Sequence, residues 1–408
     1  MNQINRKFSN FFKKKGADKT IYGAVSVLIC FGIVMIGSAS VGAVSSKGLN
    51  FVLKNMGMQA AYAVIGIIAM MILSKKFDNR WVNHRTSLLV YWIGIASMCV
   101  CRLWRTKGSY AWIHLGPITI QPAEFMKIAM ILILSYFLTE TDAAFVVKGK
   151  FRTNELKKQF YKKKLIDCVI KPIGMMLFVA IIGIGVQHDF GSTAILAAIC
   201  FICFMVTTRP YYKTYKKIIW IAVIACIVVG LIVAKFFLQS YQLARITTWL
   251  NPLENIYGDS WQLLNSMIAF ANGQLFGRGF GNSIQKYDYI SESHNDFIGA
   301  IIYEELGIVG LAFIIIPTAI IIFRLLKYAD KIQDNRSRII LTGVASYFFL
   351  HLFVNLGGIS GMIPMTGVPL LLVSYGGSST LATLMGIGIC QSIIARYNKD
   401  KLRTDASY

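Results

Sequence analysis

Negatively charged side chains are scarce in this sequence. Its 408 residues include 19 Asp and Glu against 42 Lys and Arg, and only 15% of them are charged while 55% are hydrophobic. Soluble globular proteins carry about 25% charged residues, so this composition excludes an ordinary water-soluble chain. Because ionisable groups are costly at membrane depth, each acidic residue inside an apolar segment needs a structural or functional reason.

Several nucleotide- and metal-binding motifs are also missing. The sequence contains no GxxxxGK[ST] loop, no HExxH, no GxSxG and no His/Cys cluster at zinc spacing. A reaction catalysed by this chain must therefore draw its energy from the substrate or from an ion gradient. Cys200 and Cys203 form a CxxC pair, but its apolar setting without nearby histidine favours core packing over a metal or redox pair.

Long apolar blocks fill the sequence instead. Most of them are long enough for a helix to cross roughly 30 Å of hydrocarbon. We predict an all-α polytopic membrane protein with about ten transmembrane helices. The predicted spans are 20–42, 52–73, 87–101, 122–138, 172–187, 191–207, 218–237, 297–323, 339–357 and 369–395.

The basic residues lie mainly on one side of these spans. Of the 42 Lys and Arg, 32 fall in segments on the same side as the N-terminus. By the positive-inside rule, both termini are then cytoplasmic. The net charge of +23 is explained by topology and by contact with anionic lipid, so we expect no nucleic-acid partner.

The spans divide the chain into a membrane domain and two tails. Residues 1–19 form a basic cytoplasmic tail, residues 20–395 the ten-helix membrane domain, and residues 396–408 a second cytoplasmic tail. Residues 238–296 form one long extracellular loop, which at this length we expect to be ordered. Within it, residues 273–281 contain too many glycines for a regular helix and must turn.

Asp296 stands at the end of the long loop, just before the apolar run 297–302. Asp296 and Asn295 are both good helix N-caps. An aspartate at this point is equally well placed to act as a general base on a lipid-linked substrate. Spacing alone leaves both interpretations open. His294 either orients or tunes this carboxylate or is a solvated loop residue.

Other ionisable residues lie within or beside the predicted spans. Glu124 and Lys127 are three residues apart at the start of the fourth span, so they share a helix face. They form either a mutual structural pair or a substrate contact. Asp189, in a tight outer hairpin, is open to the same two interpretations. Glu304 and Glu305 must face protein rather than lipid.

Basic residues on the outer side are few. Arg245 and Lys286 in the long loop are candidates to hold a phosphate or diphosphate head group. Anchoring to lipid head groups is the alternative. Four further outer basic residues share these two interpretations: Arg102, Arg105, Lys107 and Arg278.

Six stretches carry a resemblance to a known family. They are 118–127 (ITIQPAEFMK), 187–192 (QHDFGS), 245–252 (RITTWLNP), 277–286 (GRGFGNSIQK), 292–307 (ESHNDFIGAIIYEELG) and 364–379 (PMTGVPLLLVSYGGSS). In this order they resemble elements of the FtsW/RodA/SpoVE family, the SEDS proteins of bacterial division, elongation and sporulation. The GxGxxxSxxK and RxxxxLNP patterns are more similar to the FtsW/SpoVE branch than to RodA.

The resemblance implies a peptidoglycan glycosyltransferase that polymerises lipid II on the outer face of the bacterial cytoplasmic membrane. It further implies a class B penicillin-binding protein transpeptidase as partner, together with other divisome proteins at the division septum. Asp296 matches the family's catalytic aspartate, Glu124 and Lys127 match cavity residues, and Arg245 matches the first residue of a loop motif.

The chain departs from the family pattern at three positions. Asn295 stands where the family commonly has threonine, Gly299 where an aromatic residue is usual, and His188 where proline usually precedes Asp189. These differences leave Asp296 in place but affect the surroundings of the predicted acceptor pocket and of the outer hairpin.

A mechanism follows from this resemblance. We expect Asp296 to deprotonate the 4-hydroxyl of the acceptor sugar, which attacks the anomeric carbon of the donor and expels undecaprenyl diphosphate. One base with direct attack implies inversion, from an α-linked donor to a β-1,4 glycan. The charge on the leaving group requires cations, supplied by Arg245, Lys286 or a divalent ion such as Mg²⁺ or Mn²⁺.

Two other functions are compatible with polar residues inside a helix bundle. The first is a lipid II flippase, and the second is a division scaffold without catalysis. A base at the outer face would serve neither of them.

Overall fold

The computed structural model describes most of the chain. The described residues are 16–43, 48–106, 108–116, 118–140, 143, 145, 153–221, 224, 247–254, 256–258, 260–291 and 293–405. Predicted features that fall outside them include Arg245, Lys107, most of the seventh span, 218–237, and residues 1–15 of the N-terminal tail.

Helices make up most of the described chain. They are α1 (Lys19–Ser40), α2 (Leu49–Lys76), α3 (His84–Val100), α4 (Pro122–Phe137), α5 (Asn154–Leu165), α6 (Lys171–Gly185), α7 (Phe190–Val206), α8 (Trp261–Gly273), α9 (Ile298–Lys331), α10 (Asn335–Ile359) and α11 (Gly377–Asp405). A two-stranded antiparallel hairpin, β1 (Ile113–Leu115) and β2 (Ile118–Ile120), lies just before α4.

Nine of the ten predicted spans coincide with helices. Among the described residues, seven helices are long and apolar enough to cross a membrane, with α5 and α6 counted as one, and α7 is a shorter apolar helix. The prediction of an all-α polytopic membrane protein is confirmed.

The last helix, α11, is almost entirely buried over residues 378–395, and its last residues, 399–404, are exposed. It packs along α2 through small residues. A Cβ on Gly388 would lie 2.6 Å from the carbonyl oxygen of Met70, and a Cβ on Gly66 would lie 2.5 Å from Leu384. Glycine at both positions is what lets the two helices approach this closely.

Ion pairs mark one end of the bundle. Asp18, which caps α1, lies 2.5 Å from Arg324 near the end of α9, and Asp78, just after α2, lies 3.2 Å from Arg396 in α11. This is the end that the positive-inside rule places in the cytoplasm. The first residues of α9 and α11 therefore lie at the opposite, outer end.

The long helix α9 is interrupted at Gly307, where φ is +60°. The glycine-rich part of the outer loop fills the break. The backbone N–H of Arg278 donates to the carbonyl of Glu304 (2.9 Å), and that of Ile308 donates to the carbonyl of Leu275 (3.0 Å). The predicted turn in residues 273–281 is confirmed, with positive φ angles at three glycines: Gly277, Gly279 and Gly281.

The predicted start of the last span, residue 369, is wrong. The helix begins at Gly377, and residues 361–376 are not helical. Positive φ angles at Gly361, Gly367 and Leu372 are incompatible with a helix, and Pro369 lacks an N–H to donate. This non-helical segment forms one wall of the cavity described next.

Candidate active site

A cavity of about 630 Å³ lies at the outer end of the bundle. Three helices, α4, α9 and α11, begin at its surface, and the β1–β2 hairpin and residues 365–376 complete it. The lining residues are Tyr62, Thr106, Trp112, His114, Thr119, Gln121, Gln262, Ser291, Asn295, Asp296, Phe297, Met365, Gly367, Pro369, Tyr375, Gly376, Gly377, Ser378 and Ser379. Ligand pockets in proteins have volumes of about 300–1,000 Å³, so the cavity has the size of a ligand-binding site.

Asp296 lies on the cavity surface and is partly exposed. Its backbone carbonyl accepts a hydrogen bond from Asn355 (2.7 Å), which fixes its main chain. The backbone of Gly367 passes close to the carboxylate, since a Cβ there would lie 3.4 Å from Oδ2 of Asp296. The interpretation of Asp296 as a helix N-cap is wrong, because α9 begins at Ile298 and its N-cap residue is Phe297.

The cavity wall has polar side chains on a largely apolar surface and contains little charge. Among the described lining residues there is no Lys or Arg, and Asp296 is the one carboxylate. The N-termini of three helices lie at the same surface, and such ends carry partial positive charge. Their dipoles favour an anionic ligand without any buried cation.

His114, on β1, is a cavity residue that the sequence did not reveal. Its Nε2 lies 2.9 Å from the hydroxyl of Thr106, and both residues line the cavity. Gly116-Pro117, between the apolar runs 113–115 and 118–120, is a turn signal that could have located the hairpin. No motif distinguished His114 itself, which is a lone histidine in a short outer connection.

Glu124 and Lys127 form a buried pair one helical turn below the cavity floor. Lys127 Nζ lies 2.7 Å from Glu124 Oε1 and 3.1 Å from His351 Nε2, and the Tyr347 hydroxyl donates to Glu124 (3.0 Å). All four side chains are fully buried. The structure therefore has the mutual pair that was one of the two interpretations, and neither residue lines the cavity.

Lys286 also lies away from the cavity surface. It is 2% exposed, and its Nζ lies 2.8 Å from Glu305, 2.7 Å from the carbonyl of Gly281 and 3.3 Å from the Ser38 hydroxyl. These three contacts use all three donors of the ammonium group. The geometry does not support the prediction that Lys286 binds a diphosphate.

Glu304 and Glu305 both face protein, as predicted. Glu304 accepts hydrogen bonds from Asn272 (3.2 Å), from the backbone of Gln285 (3.1 Å) and from the hydroxyl of Ser283. Together with the Lys286–Glu305 pair, these contacts fasten the outer loop to α9.

Asp189 and His294 support lining residues rather than line the cavity themselves. Asp189 caps α7 and accepts a hydrogen bond from the side-chain amide of Gln121 (3.1 Å). The ring of His294 packs edge-on against Phe51 and Tyr375, and its carbonyl accepts the backbone N–H of Tyr375 (3.0 Å). The sequence placed both residues near the site but did not reveal these contacts.

The described residues contain no cluster of three or more His, Cys, Asp and Glu side chains that could hold a metal ion. The cavity offers a divalent cation the single carboxylate of Asp296. Mg²⁺ is often held by one or two carboxylates together with substrate phosphates and water. This donor set fits a cation that arrives with a phosphorylated substrate rather than a permanent metal site.

The sequence and fold are similar to those of known proteins. Residues 19–399 match the cell cycle protein family model FTSW_RODA_SPOVE. The probable peptidoglycan glycosyltransferase FtsW of Bacillus subtilis is 32% identical over 404 residues, covering 96% of this chain and 94% of the relative. Stage V sporulation protein E of the same organism is 30% identical, covering 95% and 99%.

Two solved structures share the fold. A chain of a peptidoglycan synthase complex, described as showing structural coordination of polymerization and crosslinking, aligns with a TM-score of 0.69 at 21% identity, covering 94% of this chain and 98% of the other. The Thermus thermophilus rod shape determining protein RodA aligns with a TM-score of 0.58 at 20% identity, covering 93% and 97%. The family match, the relatives and the fold agree with the resemblance found in the sequence, and this chain belongs to the FtsW/RodA/SpoVE family.

Proposed function

We propose that this protein is a peptidoglycan glycosyltransferase that polymerises lipid II on the outer face of the cytoplasmic membrane. The Bacillus subtilis FtsW named above is called a probable peptidoglycan glycosyltransferase, which supports the prediction made from the sequence. The observation that carries the proposal is the position of Asp296. Its carboxylate lies in the cavity at the end of the bundle opposite the cytoplasmic ion pairs.

Asp296 acts as the general base in this proposal. It takes the proton from the 4-hydroxyl of the acceptor sugar, and the oxygen attacks the anomeric carbon of the donor. The bond between that carbon and the phosphate oxygen breaks, and undecaprenyl diphosphate leaves with the electron pair. A single direct displacement inverts the α-linked donor to a β-1,4 linkage.

A single carboxylate is sufficient for this reaction. Glycosidases generally use a pair of carboxylates, one of which protonates the leaving oxygen. A diphosphate is stable as an anion and needs no such acid. Asp296 is the one carboxylate among the described lining residues, which matches a reaction with a base and no acid.

The charge on the leaving diphosphate has fewer candidate partners than the sequence suggested. Lys286 is saturated by Glu305, Gly281 and Ser38. Arg245 lies outside the described residues and keeps its predicted role. The helix N-termini at the cavity, and a divalent cation brought by the substrate, are compatible with an anionic leaving group.

The partner in this proposal is a class B penicillin-binding protein, with other divisome proteins at the septum. The structural similarity to a chain of a peptidoglycan synthase complex supports a transpeptidase partner. The 32% identity to an FtsW supports a role in division.

The test is polymerisation by the purified protein with its penicillin-binding partner and lipid II. Asp296→Asn removes the base and keeps the side chain's shape. Since general bases contribute about 10²–10⁴-fold to rate, glycan synthesis should fall at least a hundredfold.

Asp288→Asn is the matched control. Asp288 is an exposed carboxylate in the same outer loop with φ of +62°, a conformation that asparagine also accepts. This variant should polymerise at the wild-type rate. Translocation of lipid II without polymer from the wild type would establish a flippase, and binding of partners without either activity would establish a scaffold.

A further inference from the structure

Asn355 lies next to Asp296 and is buried in α10, four residues before that helix ends. It is 4% exposed. Its amide nitrogen donates to the carbonyl of Asp296 and to the carbonyl of Val368, both at 2.7 Å. Both amide hydrogens are therefore used, and each bond goes to the backbone of a different wall of the cavity.

The two walls flank the Asp296 carboxylate. One is the peptide of Asp296 itself, which leads into α9. The other is the non-helical segment that contains Gly367 and Val368, and Gly367 is the residue whose backbone passes the carboxylate. A second tie, from the backbone N–H of Tyr375 to the carbonyl of His294 (3.0 Å), joins the same two walls at the far side.

The remaining atom of the amide, Oδ1 of Asn355, is buried and has no hydrogen-bond partner among the described residues. Asn355 and Asp296 both line a void of about 10 Å³. A volume of about 10–15 Å³ is enough for one water molecule. Because Oδ1 accepts no hydrogen bond from the described residues, the side chain is held in place by the two bonds that its amide nitrogen donates.

The same face of α10 connects this amide to the buried Glu124–Lys127 pair. His351 lies one turn before Asn355, and its Nδ1 lies 3.1 Å from the carbonyl of Pro369. Its Nε2 faces Lys127, which can only donate, so Nε2 accepts and Nδ1 carries the proton. The histidine and the asparagine thus hold two successive carbonyls of the cavity wall, Val368 and Pro369.

We propose that Asn355 is a positioning residue for Asp296, which holds the base and the Gly367 wall in register through its two donor bonds. The proposal rests on the proposed function, because it assigns a role in the same reaction. Only a side chain with two hydrogens on one atom can make both bonds. Aspartate has the same shape but presents an oxygen to both carbonyls, so Asn355→Asp reverses the interaction without changing volume.

The experiment measures kcat, KM for lipid II and the pH dependence of kcat for the wild type, Asn355→Asp, Asn355→Ser and Asp296→Asn, each with the penicillin-binding partner. Misplacement of a catalytic group by about 1 Å costs up to 100-fold in rate. We expect kcat to fall 10- to 100-fold in both Asn355 variants, with KM for lipid II within threefold of wild type. The acidic limb of the pH profile should move, because the surroundings of the base have changed.

Asn55→Asp is the structural control. Asn55 is likewise buried in a membrane helix, but its amide donates to a single hydroxyl, that of Ser40 (3.2 Å), which can rotate and donate instead. This variant should keep its kcat and pH profile. Asn355→Ser, which introduces no charge, keeps the test valid if Asn355→Asp does not fold.

A double-mutant cycle separates positioning from general destabilisation. If Asn355 acts through Asp296, Asn355→Ser should lower kcat much less in the Asp296→Glu variant than in the wild type, because the base is already displaced in that variant. An equal loss of kcat in the two backgrounds, or a raised KM with unchanged kcat, would overturn the positioning role of Asn355. The proposed function would still stand. If the wild type makes no glycan, or if Asp296→Asn makes glycan at the wild-type rate, the proposed function fails and this inference fails with it.

Discussion

Lys286 and Asp296 are ten residues apart in the outer loop, yet they lie in opposite environments. Lys286 is buried and uses its three donors on Glu305, Gly281 and Ser38. Asp296 is partly exposed and faces a cavity whose described lining residues include no Lys or Arg. The contrast separates a charge that holds the fold from a charge that lies on the surface of the cavity. Burial with a complete set of partners indicates a structural role, and a carboxylate on the surface of a ligand-sized cavity is a candidate for a functional role.

The largest stability effect should come from breaking the buried pair. Lys286→Met leaves Glu305 charged and buried, which costs about 3–5 kcal/mol when one partner of such a pair is removed. The midpoint of thermal unfolding in detergent should fall sharply. The double variant Lys286→Met with Glu305→Gln removes both charges and should recover most of the loss. A Lys286→Met protein that unfolds like the wild type but cannot bind lipid II would instead assign the lysine to the substrate.

A smaller loss of stability is expected at Gly367, in the cavity wall beside Asp296. Gly367 has a φ of +70°, and a non-glycine residue in this region costs about 1–2 kcal/mol. An alanine Cβ would lie 3.4 Å from Asp296 Oδ2 without a clash. Gly367→Ala should therefore fold, and its kcat should fall by up to about tenfold.

Gly48→Ala is the control for this change. Gly48 has nearly the same φ of +73°, and a Cβ there would meet nothing within 4 Å. Because its ψ of 166° lies in a region that essentially only glycine adopts, Gly48→Ala should lose at least as much stability and keep its kcat. Equal loss of kcat in both variants would show that backbone strain, and not the position of the cavity wall, determines the rate.

The smallest effect is expected at the exposed ion pair on the cytoplasmic side. The backbone N–H of Arg80, and then Arg396, lower the pKa of the Asp78 carboxyl. Because the pKa is lower in the folded state, the stabilisation is present above the unfolded pKa of about 4 and is lost as the pH falls through the folded value.

Asp78→Asn should therefore lower the midpoint of thermal unfolding slightly at pH 7, since surface pairs contribute at most about 1 kcal/mol. The difference from the wild type should shrink below about pH 4, where the carboxyl of the wild type also becomes protonated. A difference that grows as the pH falls would contradict this assignment.

The sequence predicts the scaffold better than it predicts the partners of individual charges. Runs of apolar residues locate nine spans because hydrophobic length is a local property of the chain. The pairing of Lys286 with Glu305 depends on the outer loop folding back onto the break at Gly307, and spacing along the chain does not encode this contact.

In the candidate site, too, some residues could be predicted from the local sequence and others could not. Asp296 could be found because it ends a loop and precedes an apolar run, and the family resemblance added its predicted role. Asn355 lies 59 residues further along, within an apolar helix, and its two bonds to backbone carbonyls are visible only in the folded protein. His114 stands beside the Gly116-Pro117 turn signal, but its place on the cavity wall likewise depends on the folded chain.

The central claim is that the Asp296 carboxylate is the base that activates the acceptor sugar. The most direct measurement is the rate of lipid II polymerisation by Asp296→Ala with and without added formate, in the presence of the penicillin-binding partner. We predict a loss of about 10²–10⁴-fold that formate partly restores in a concentration-dependent manner, with no effect of formate on the wild type. Polymerisation by Asp296→Ala at the wild-type rate without formate would contradict the account.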